Sequence, residues 1–409
     1  MIRGHAQAMN RPRQAVILAG GRGARLRPLT DTRPKPMLEF HGKPFIAYLL
    51  ELLHEQGFER VLLLLGYLPE VIQRYCEDGR RWNLAIDYSV SDIEDDTGRR
   101  LKQAADKIEP VFQLLYCDNY WPMPFDQLWD RYVASGAEAL LTVYRNRDRY
   151  TRDNVRLDAR GRIETYDKER RVPGLQGVEI GFGIFRRDAV TGLAEDNVNF
   201  ERTVYPQLVA RHAVTAFVTE HRYYSVSSHE RLDLTREFLA RRPTVILDRD
   251  GVLNRKPPRA EYVRTWQEWQ WLPGAKEALA LLKDAGYRVL VVSNQAGIAR
   301  GAMTEESLCM IHDRLRGEVQ EAGGMIDAIY YCPHGWDEGC FCRKPNPGML
   351  YQAQREFHLD LSRTVFIGDD ERDGQAAKSA GCPYRAVSDT RMLLDVVRDF
   401  LGAPCLNAC

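Results

Sequence analysis

Short runs rich in Val, Ile and Leu alternate along this chain with longer amphipathic stretches, and that alternation predicts a parallel sheet with helices on both faces. Strands are expected at Ala15–Ala19, Val61–Leu65, Phe112–Cys117, Ala139–Val143 and Val178–Phe185. The pattern resumes at Thr244–Leu247, Arg288–Val292, Ala328–Tyr331 and Thr364–Ile367. Between the two sets a helical stretch, Arg231–Ala240, stops at Arg241-Arg242-Pro243. The chain is therefore read as two α/β domains, 1–242 and 243–409, each a mainly parallel sheet flanked by helices. The halves share a style of fold without any internal repeat, and the tail 402–409 is expected to fray.

A chain of 409 residues suits two such domains, and 44% apolar with 28% charged residues gives each enough to bury a core. Lys plus Arg (57) cancels Asp plus Glu (57), which argues against a nucleic-acid or anionic-membrane binder. Apolar runs such as Val61–Leu65 fall far short of the roughly 20 residues that span a bilayer. The first fourteen residues mix Arg3, His5, Asn10, Arg11 and Arg13 with no apolar stretch, unlike a signal peptide. Nine cysteines is an odd count for a disulfide framework. The expectation is a soluble, cytoplasmic protein, its oligomeric state left open.

In the first half, strand Ala15–Ala19 runs into Gly20-Gly21-Arg22-Gly23-Ala24-Arg25, followed by Pro34-Lys35-Pro36-Met37. Glycines after a strand let backbone N–H groups approach phosphates closely. Arg25 and Lys35 add fixed positive charge that could stabilise a phosphoryl-transfer transition state. No Gly-Lys-Ser/Thr follows, so this is not a Walker loop.

The string resembles the signature of the sugar-1-phosphate nucleotidylyltransferases, over about Arg13 to Ala240. The resemblance implies a Rossmann-like domain in which a sugar 1-phosphate attacks the α-phosphate of an NTP and expels pyrophosphate. It places Gly20, Gly21, Gly23, Arg25 and Lys35 on the nucleotide, Arg25 and Lys35 serving catalysis. It makes Asp118 the magnesium aspartate, puts Asp167-Lys168 against the sugar phosphate, and sets Thr97-Gly98 beside base and sugar. Three positions depart from the family: Ala24 replaces a common threonine, Gly181 fits the sugar-binding strand loosely, and Ser225 stands where aspartate supplies a second metal ligand.

In the second half, strand Thr244–Leu247 ends in Asp248-Arg249-Asp250-Gly251. Carboxylates one residue apart at the carboxyl end of a parallel strand point into the ligand crevice, where one can attack phosphorus and the other move protons. Ser293-Asn294-Gln295, Arg343-Lys344-Pro345 and Gly368-Asp369-Asp370-Glu371-Arg372-Asp373 follow in order, each beside or just past an apolar strand. This set resembles the haloacid dehalogenase superfamily of phosphatases over roughly Pro243 to Leu401. The resemblance implies that Asp248 forms an aspartyl-phosphate and that Asp250 protonates the leaving alcohol and then activates water. Ser293 and Lys344 would bind the phosphoryl group with Asn294 and Arg343 beside them, and Asp369 would join Asp248 and the Asp250 carbonyl around magnesium.

Cys332, His334, Cys340 and Cys342 lie within eleven residues and have the composition of a closed structural zinc site. Such a site would pin the loop that leads into Arg343-Lys344. Cys76, Cys117, Cys309, Cys382, Cys405 and Cys409 show no ligand spacing and are expected to be reduced. The zinc loop and the flanking segments narrow the resemblance to the capless branch that contains heptose-bisphosphate and histidinol phosphatases. Arg255, Lys256 and Arg259 could contact a second phosphate or form a solvated basic turn. Fusion favours one pathway, since a heptose-1,7-bisphosphate 7-phosphatase makes a sugar 1-phosphate and the first domain resembles enzymes that consume one. The expectation is a bifunctional enzyme that uses sugar phosphates and GTP, with ATP next in favour. The alternative is a phosphatase for histidinol phosphate or another phosphomonoester, carrying a nucleotide-sugar-binding regulatory domain.

Overall fold

The computed structural model describes residues 10–402; the residues before and after them, including Cys405 and Cys409 and most of the 402–409 tail, lie outside this description. The chain divides into two compact units, Met1–Leu239 and Ala240–Cys409.

The first unit is built on a seven-stranded sheet. In chain order its strands are β1 (Gln14–Ala19), β2 (Arg60–Leu65), β3 (Ala85–Val90), β4 (Val111–Tyr116), β5 (Ala139–Tyr144), β6 (Val178–Arg186) and β7 (Val214–Thr219), in the spatial order β7-β5-β6-β4-β1-β2-β3. All neighbours run parallel except β6, which is antiparallel to both β4 and β5. Successive side chains of a strand point to opposite faces, and here both faces are covered. Ala15, Ile17 and Ala19 join one apolar core while Val16 and Leu18 join the other. That double burial is why β1 and β2 read as unbroken apolar runs.

The second unit repeats the principle with five parallel strands: β8 (Thr244–Leu247), β9 (Arg288–Asn294), β10 (Ala328–Cys332), β11 (Val365–Gly368) and β12 (Tyr384–Ala386), ordered β10-β9-β8-β11-β12. Val245 and Leu247 face one core, Ile246 the other. The carboxyl ends of the three inner strands, β9, β8 and β11, therefore open side by side.

Three strands of these two sheets lie outside the sequence expectation, as do the short strands of three two-stranded ribbons. β3 is a half-exposed edge strand whose Ala-Ile-Asp-Tyr-Ser-Val carries little apolar character, and β12 has three residues, none fully buried. β7 (Val-Thr-Ala-Phe-Val-Thr) is an edge strand paired with β5, and its two threonines limit the apolar run to Ala-Phe-Val. Among the described residues no helix is long and apolar enough to cross a membrane.

Candidate functional sites

In the first unit, β1 delivers the glycine loop. Its glycines serve different ends. A Cβ on Gly20 would lie 2.4 Å from the guanidinium carbon of Arg100, so this glycine makes room for a buried arginine. Arg100 in turn donates to the backbone carbonyls of Leu65 and Ile93 and ties β2 to the segment after β3. Gly21 faces open space, where a ligand could approach the backbone. Gly23 has φ +66, the left-handed region that favours glycine, and starts the short turn that carries Arg25.

Lys35 and Asp118 meet: Nζ lies 3.0 Å from Oδ2, with both side chains mostly buried. Burial works against the Lys35 ammonium and Arg25 repels it, yet the Asp118 carboxylate outweighs both, so Lys35 holds its proton above the ordinary lysine range. Arg25, Lys35 and Asp118 thus form one electrostatic group. Ser225 is set beside it, because the short ribbon that pairs Asn119–Tyr120 with Tyr224–Ser225 places Ser225 opposite Asn119. The Ser225 hydroxyl is buried and hydrogen-bonded to that of Ser227 at 2.8 Å. Among the described residues Asp118 belongs to no cluster of three potential metal ligands, so a magnesium ion there would depend on Asp118 and substrate phosphate oxygens.

Asp167 and Lys168 diverge from one another. The Asp167 carboxylate accepts the backbone N–H groups of Glu169, Arg171 and Val172, which hold it below the usual carboxylate range. Lys168 donates to Asn199 Oδ1 at 3.0 Å and pairs with Glu201. Glu201 also faces Glu179 on β6; burial first, and Glu201 second, push the Glu179 carboxyl up to about 8. Thr97 and Gly98 dock on the chain near residue 200: Thr97 Oγ1 accepts from Phe200 N–H at 2.9 Å, and Gly98 N–H donates to Val198 O at 2.9 Å.

In the second unit, Asp248 follows β8, Ser293 lies on β9 and Asp369 follows β11. Lys344 Nζ donates to Asp248 at 2.7 Å, to Asp373 at 2.8 Å and to the Val292 carbonyl at 3.1 Å. Asp248, Asp369 and Asp373 can place carboxylate oxygens within 4.8 Å of one another. Asp369 Oδ1 is buried without a hydrogen-bond partner; such an orphaned anionic oxygen suits a hard cation. Asp250 accepts from Arg249 at 3.0 Å, Asn254 at 2.9 Å and Gln295 at 3.0 Å. Burial raises its carboxyl, but these donors, Arg249 foremost, outweigh it and keep Asp250 ionised. Gln295 also donates to Ser293 Oγ at 2.7 Å. Asn294 contacts the backbone of Lys344, and Arg343 donates to the His334 carbonyl at 3.3 Å. Lys256, though exposed, is paired rather than free: it lies 2.7 Å from Asp369 and 3.0 Å from Asp370.

The Cys332, His334, Cys340 and Cys342 side chains converge. Cys342 Sγ is 3.2 Å from His334 Nδ1, 3.4 Å from Cys332 Sγ and 3.5 Å from Cys340 Sγ, and Cys332 Sγ is 3.5 Å from both His334 Nδ1 and Cys340 Sγ. A tetrahedron of sulfur ligands around zinc, with bonds of about 2.3 Å, has edges of roughly 3.7 Å. The set therefore fits zinc with little adjustment.

Residues 14–168 match the nucleotidyl transferase family, and residues 187–381 match the haloacid dehalogenase-like hydrolases. The D-glycero-beta-D-manno-heptose-1,7-bisphosphate 7-phosphatase of Bordetella bronchiseptica is 44% identical over 138 residues, 34% of this chain and 76% of that protein. The enzyme of the same name from Pseudomonas aeruginosa is 47% identical over 141 residues, 34% of this chain and 78% of that one. The chain belongs to the haloacid dehalogenase-like hydrolases. Its first unit carries a nucleotidyl transferase domain, so the protein joins a transferase unit to a hydrolase unit. The crystal structure of HddC from Yersinia pseudotuberculosis aligns at 23% identity and a TM-score of 0.48, over 56% of this chain and 100% of that chain.

The candidate hydrolase site brings in residues that sequence reasoning passed over. Asp373, four positions after Asp369, could have been found as the last acid of the quoted Gly-Asp-Asp-Glu-Arg-Asp string. Arg249 sat unremarked between Asp248 and Asp250, and a buried arginine has no signature in composition. In the transferase unit, the pairing of Lys168 with Glu201 joins residues 33 apart in sequence, with no motif linking them.

Proposed function

We propose that the protein is a bifunctional enzyme of nucleotide-activated heptose synthesis. The hydrolase unit removes the 7-phosphate of D-glycero-D-manno-heptose 1,7-bisphosphate, and the transferase unit couples the resulting heptose 1-phosphate to a nucleotide, GTP in preference to ATP. The observation that carries this reading is the Asp248–Lys344–Asp373 array, with its neighbouring Cys₃His loop, in a unit 44% and 47% identical to two heptose-bisphosphate phosphatases.

In the hydrolase unit, Asp248 attacks phosphorus through a carboxylate oxygen while Lys344 offsets charge on the nucleophile and the phosphoryl group. Ser293 binds the phosphoryl oxygens. Asp250, held as a carboxylate by Arg249, Asn254 and Gln295, is arranged to take a proton from the water that hydrolyses the aspartyl-phosphate. To protonate the leaving alcohol it must first take a proton from solvent, which the negative charge of an entering phosphate would favour by raising its carboxyl. Asp248, Asp369 and the Asp250 carbonyl would hold magnesium, which supplies charge neutralisation at the phosphoryl oxygens. In the transferase unit, the backbone at Gly21, together with Arg25 and Lys35, holds the triphosphate. Asp118 would hold magnesium, whose charge offsets that of the departing pyrophosphate.

Phosphorus NMR of the purified protein with magnesium, heptose 1,7-bisphosphate and, separately, GTP, ATP, UTP or CTP tests both steps. Loss of the 7-phosphate signal followed by a pyrophosphate diester in the GTP tube is expected. Asp248→Asn should stop phosphate release, yet still form the diester when heptose 1-phosphate is supplied directly; Lys35→Ala should release phosphate and form no diester. A second reading, in which the transferase unit binds nucleotide sugar without turning it over, is favoured by Ser225 at the metal-ligand position; phosphate release with no diester in any tube would support it. Release from histidinol phosphate but not from the heptose bisphosphate would overturn the substrate.

A further inference from the structure

Two turns of the transferase unit border one open cavity of about 660 Å³ whose walls include none of the residues assigned above to the reaction. The first turn is organised by Asn146, which is buried; its Nδ2 donates to the Thr151 carbonyl and to Asp153 Oδ1, both at 2.7 Å, and its Oδ1 accepts from Thr151 N–H at 3.2 Å. The second is organised by Asp167, whose carboxylate gathers the N–H groups of Glu169, Arg171 and Val172 at 2.9, 2.6 and 2.9 Å.

Each turn holds an arginine in the left-handed region, Arg149 at φ 53 and Arg170 at φ 59. That conformation is disfavoured for arginine and open to glycine or asparagine, so a turn with no use for the side chain would do better with either. Both arginines line the cavity, and Arg152 lines it with them. The one lining carboxylate, Asp153, is already held by Asn146. None of the three guanidinium groups takes part in an ion pair among the described residues. Elsewhere on this unit exposed arginines are commonly paired, as Arg147 is with Glu220 and Arg156 with Glu164.

We propose that this cavity is a binding site for a phosphorylated small molecule carrying at least two negative charges, gripped by Arg149, Arg152 and Arg170. Guanidinium forks match phosphate oxygens in bidentate pairs, the volume falls in the range of small-molecule sites, and turns fixed by Asn146 and Asp167 spare the ligand the cost of ordering them. The ligand's phosphates could be those of a sugar bisphosphate, of a nucleotide or of released pyrophosphate.

Titration calorimetry of the full chain in the presence of a chelator, with inorganic pyrophosphate, fructose 1,6-bisphosphate and GTP as separate probes, tests the site and sorts its sources. The expected result is that at least one probe loses one binding equivalent, or binds ~10-fold more weakly, in the triple variant Arg149→Gln, Arg152→Gln, Arg170→Gln, and that this binding weakens as salt is raised. Should the triple variant melt early, Arg152→Gln alone, at a residue without a strained backbone, is expected to weaken the same binding by ~3-fold. Unchanged affinity and stoichiometry for all three probes in the variants, or no probe binding to the natural protein beyond its two active sites, overturns the proposal.

Discussion

Asn294 grips the backbone of Lys344 from both sides: its Nδ2 donates to the Lys344 carbonyl and its Oδ1 accepts the Lys344 N–H, each at 3.0 Å. Asn294 ends β9 and Lys344 follows the cysteine loop, so this pair fixes the ammonium opposite Asp248. Asn294→Ala is expected to lower the kcat of phosphate release by ~10–100-fold with little change in KM, while nucleotidyl transfer stays as it was. Parallel assays of both activities on one preparation check this.

Among the described residues, the ion-pair partner of the buried Asp248 carboxylate is Lys344, which also holds Asp373. Replacing it with methionine leaves two buried carboxylates uncompensated, a loss of about 3–5 kcal/mol by analogy with broken buried pairs. Urea denaturation should show the hydrolase transition moving to lower concentration, and Asp373→Asn introduced into Lys344→Met should recover part of the loss.

Glu179 gives a pH signature. Its carboxyl is raised from an ordinary value of 4.5 to about 8 by burial and by Glu201, with Lys168 and the Gly181 N–H acting the other way. A raised carboxyl means that the folded state keeps its proton where the unfolded state has lost it. The associated stability is complete below 4.5 and is lost as pH rises towards 8. Glu179→Gln should therefore melt progressively higher than the natural protein as pH climbs from 5 to 8, by several degrees at the top. A melting difference that does not vary with pH would remove Glu179 from the account.

Cys340→Ser and Cys342→Ser should each reduce bound zinc, measured by elemental analysis, from about one ion per chain to a small fraction of that. Phosphate release should fall with the metal, ~10-fold or more, because Arg343 is tied to the His334 carbonyl and Asn346 to the Cys340 carbonyl on either side of Lys344. Nucleotidyl transfer should not change.

Ser225→Asp adds a carboxylate next to Asp118 through the pairing of Ser225 with Asn119. The magnesium concentration for half-maximal transfer is expected to drop several-fold. If it does not move, Ser225 lies outside the metal's reach.

Much of this architecture was legible because the fold buries both faces of its inner strands: Ala15–Ala19 and Thr244–Leu247 show as apolar runs, and the chemistry sits directly after them at Gly20 and Asp248. The edge strands β3 and β12 escaped because an exposed strand needs no apolar signature. At the sites, residues bound to a motif could be read in order, whereas their partners could not. Gln295 stood within a quoted motif, yet nothing in the sequence shows that it donates to Asp250, and nothing near Lys168 announces Glu201. Gly20 shows a subtler limit, since a phosphate-loop glycine and a glycine that houses Arg100 look alike until the structure is seen.

Asp248, Ser293 and Asp369, the proposed nucleophile, phosphoryl-binding serine and metal ligand, come from the ends of β8, β9 and β11, three neighbours in one sheet. Adjacent strands stand about 4.8 Å apart whatever their side chains, so the spacing of these groups is inherited with the backbone ladder. Loops such as the cysteine turn can then be lengthened, shortened or retargeted over evolutionary time, changing which phosphoester is admitted while the reaction performed on it stays the same.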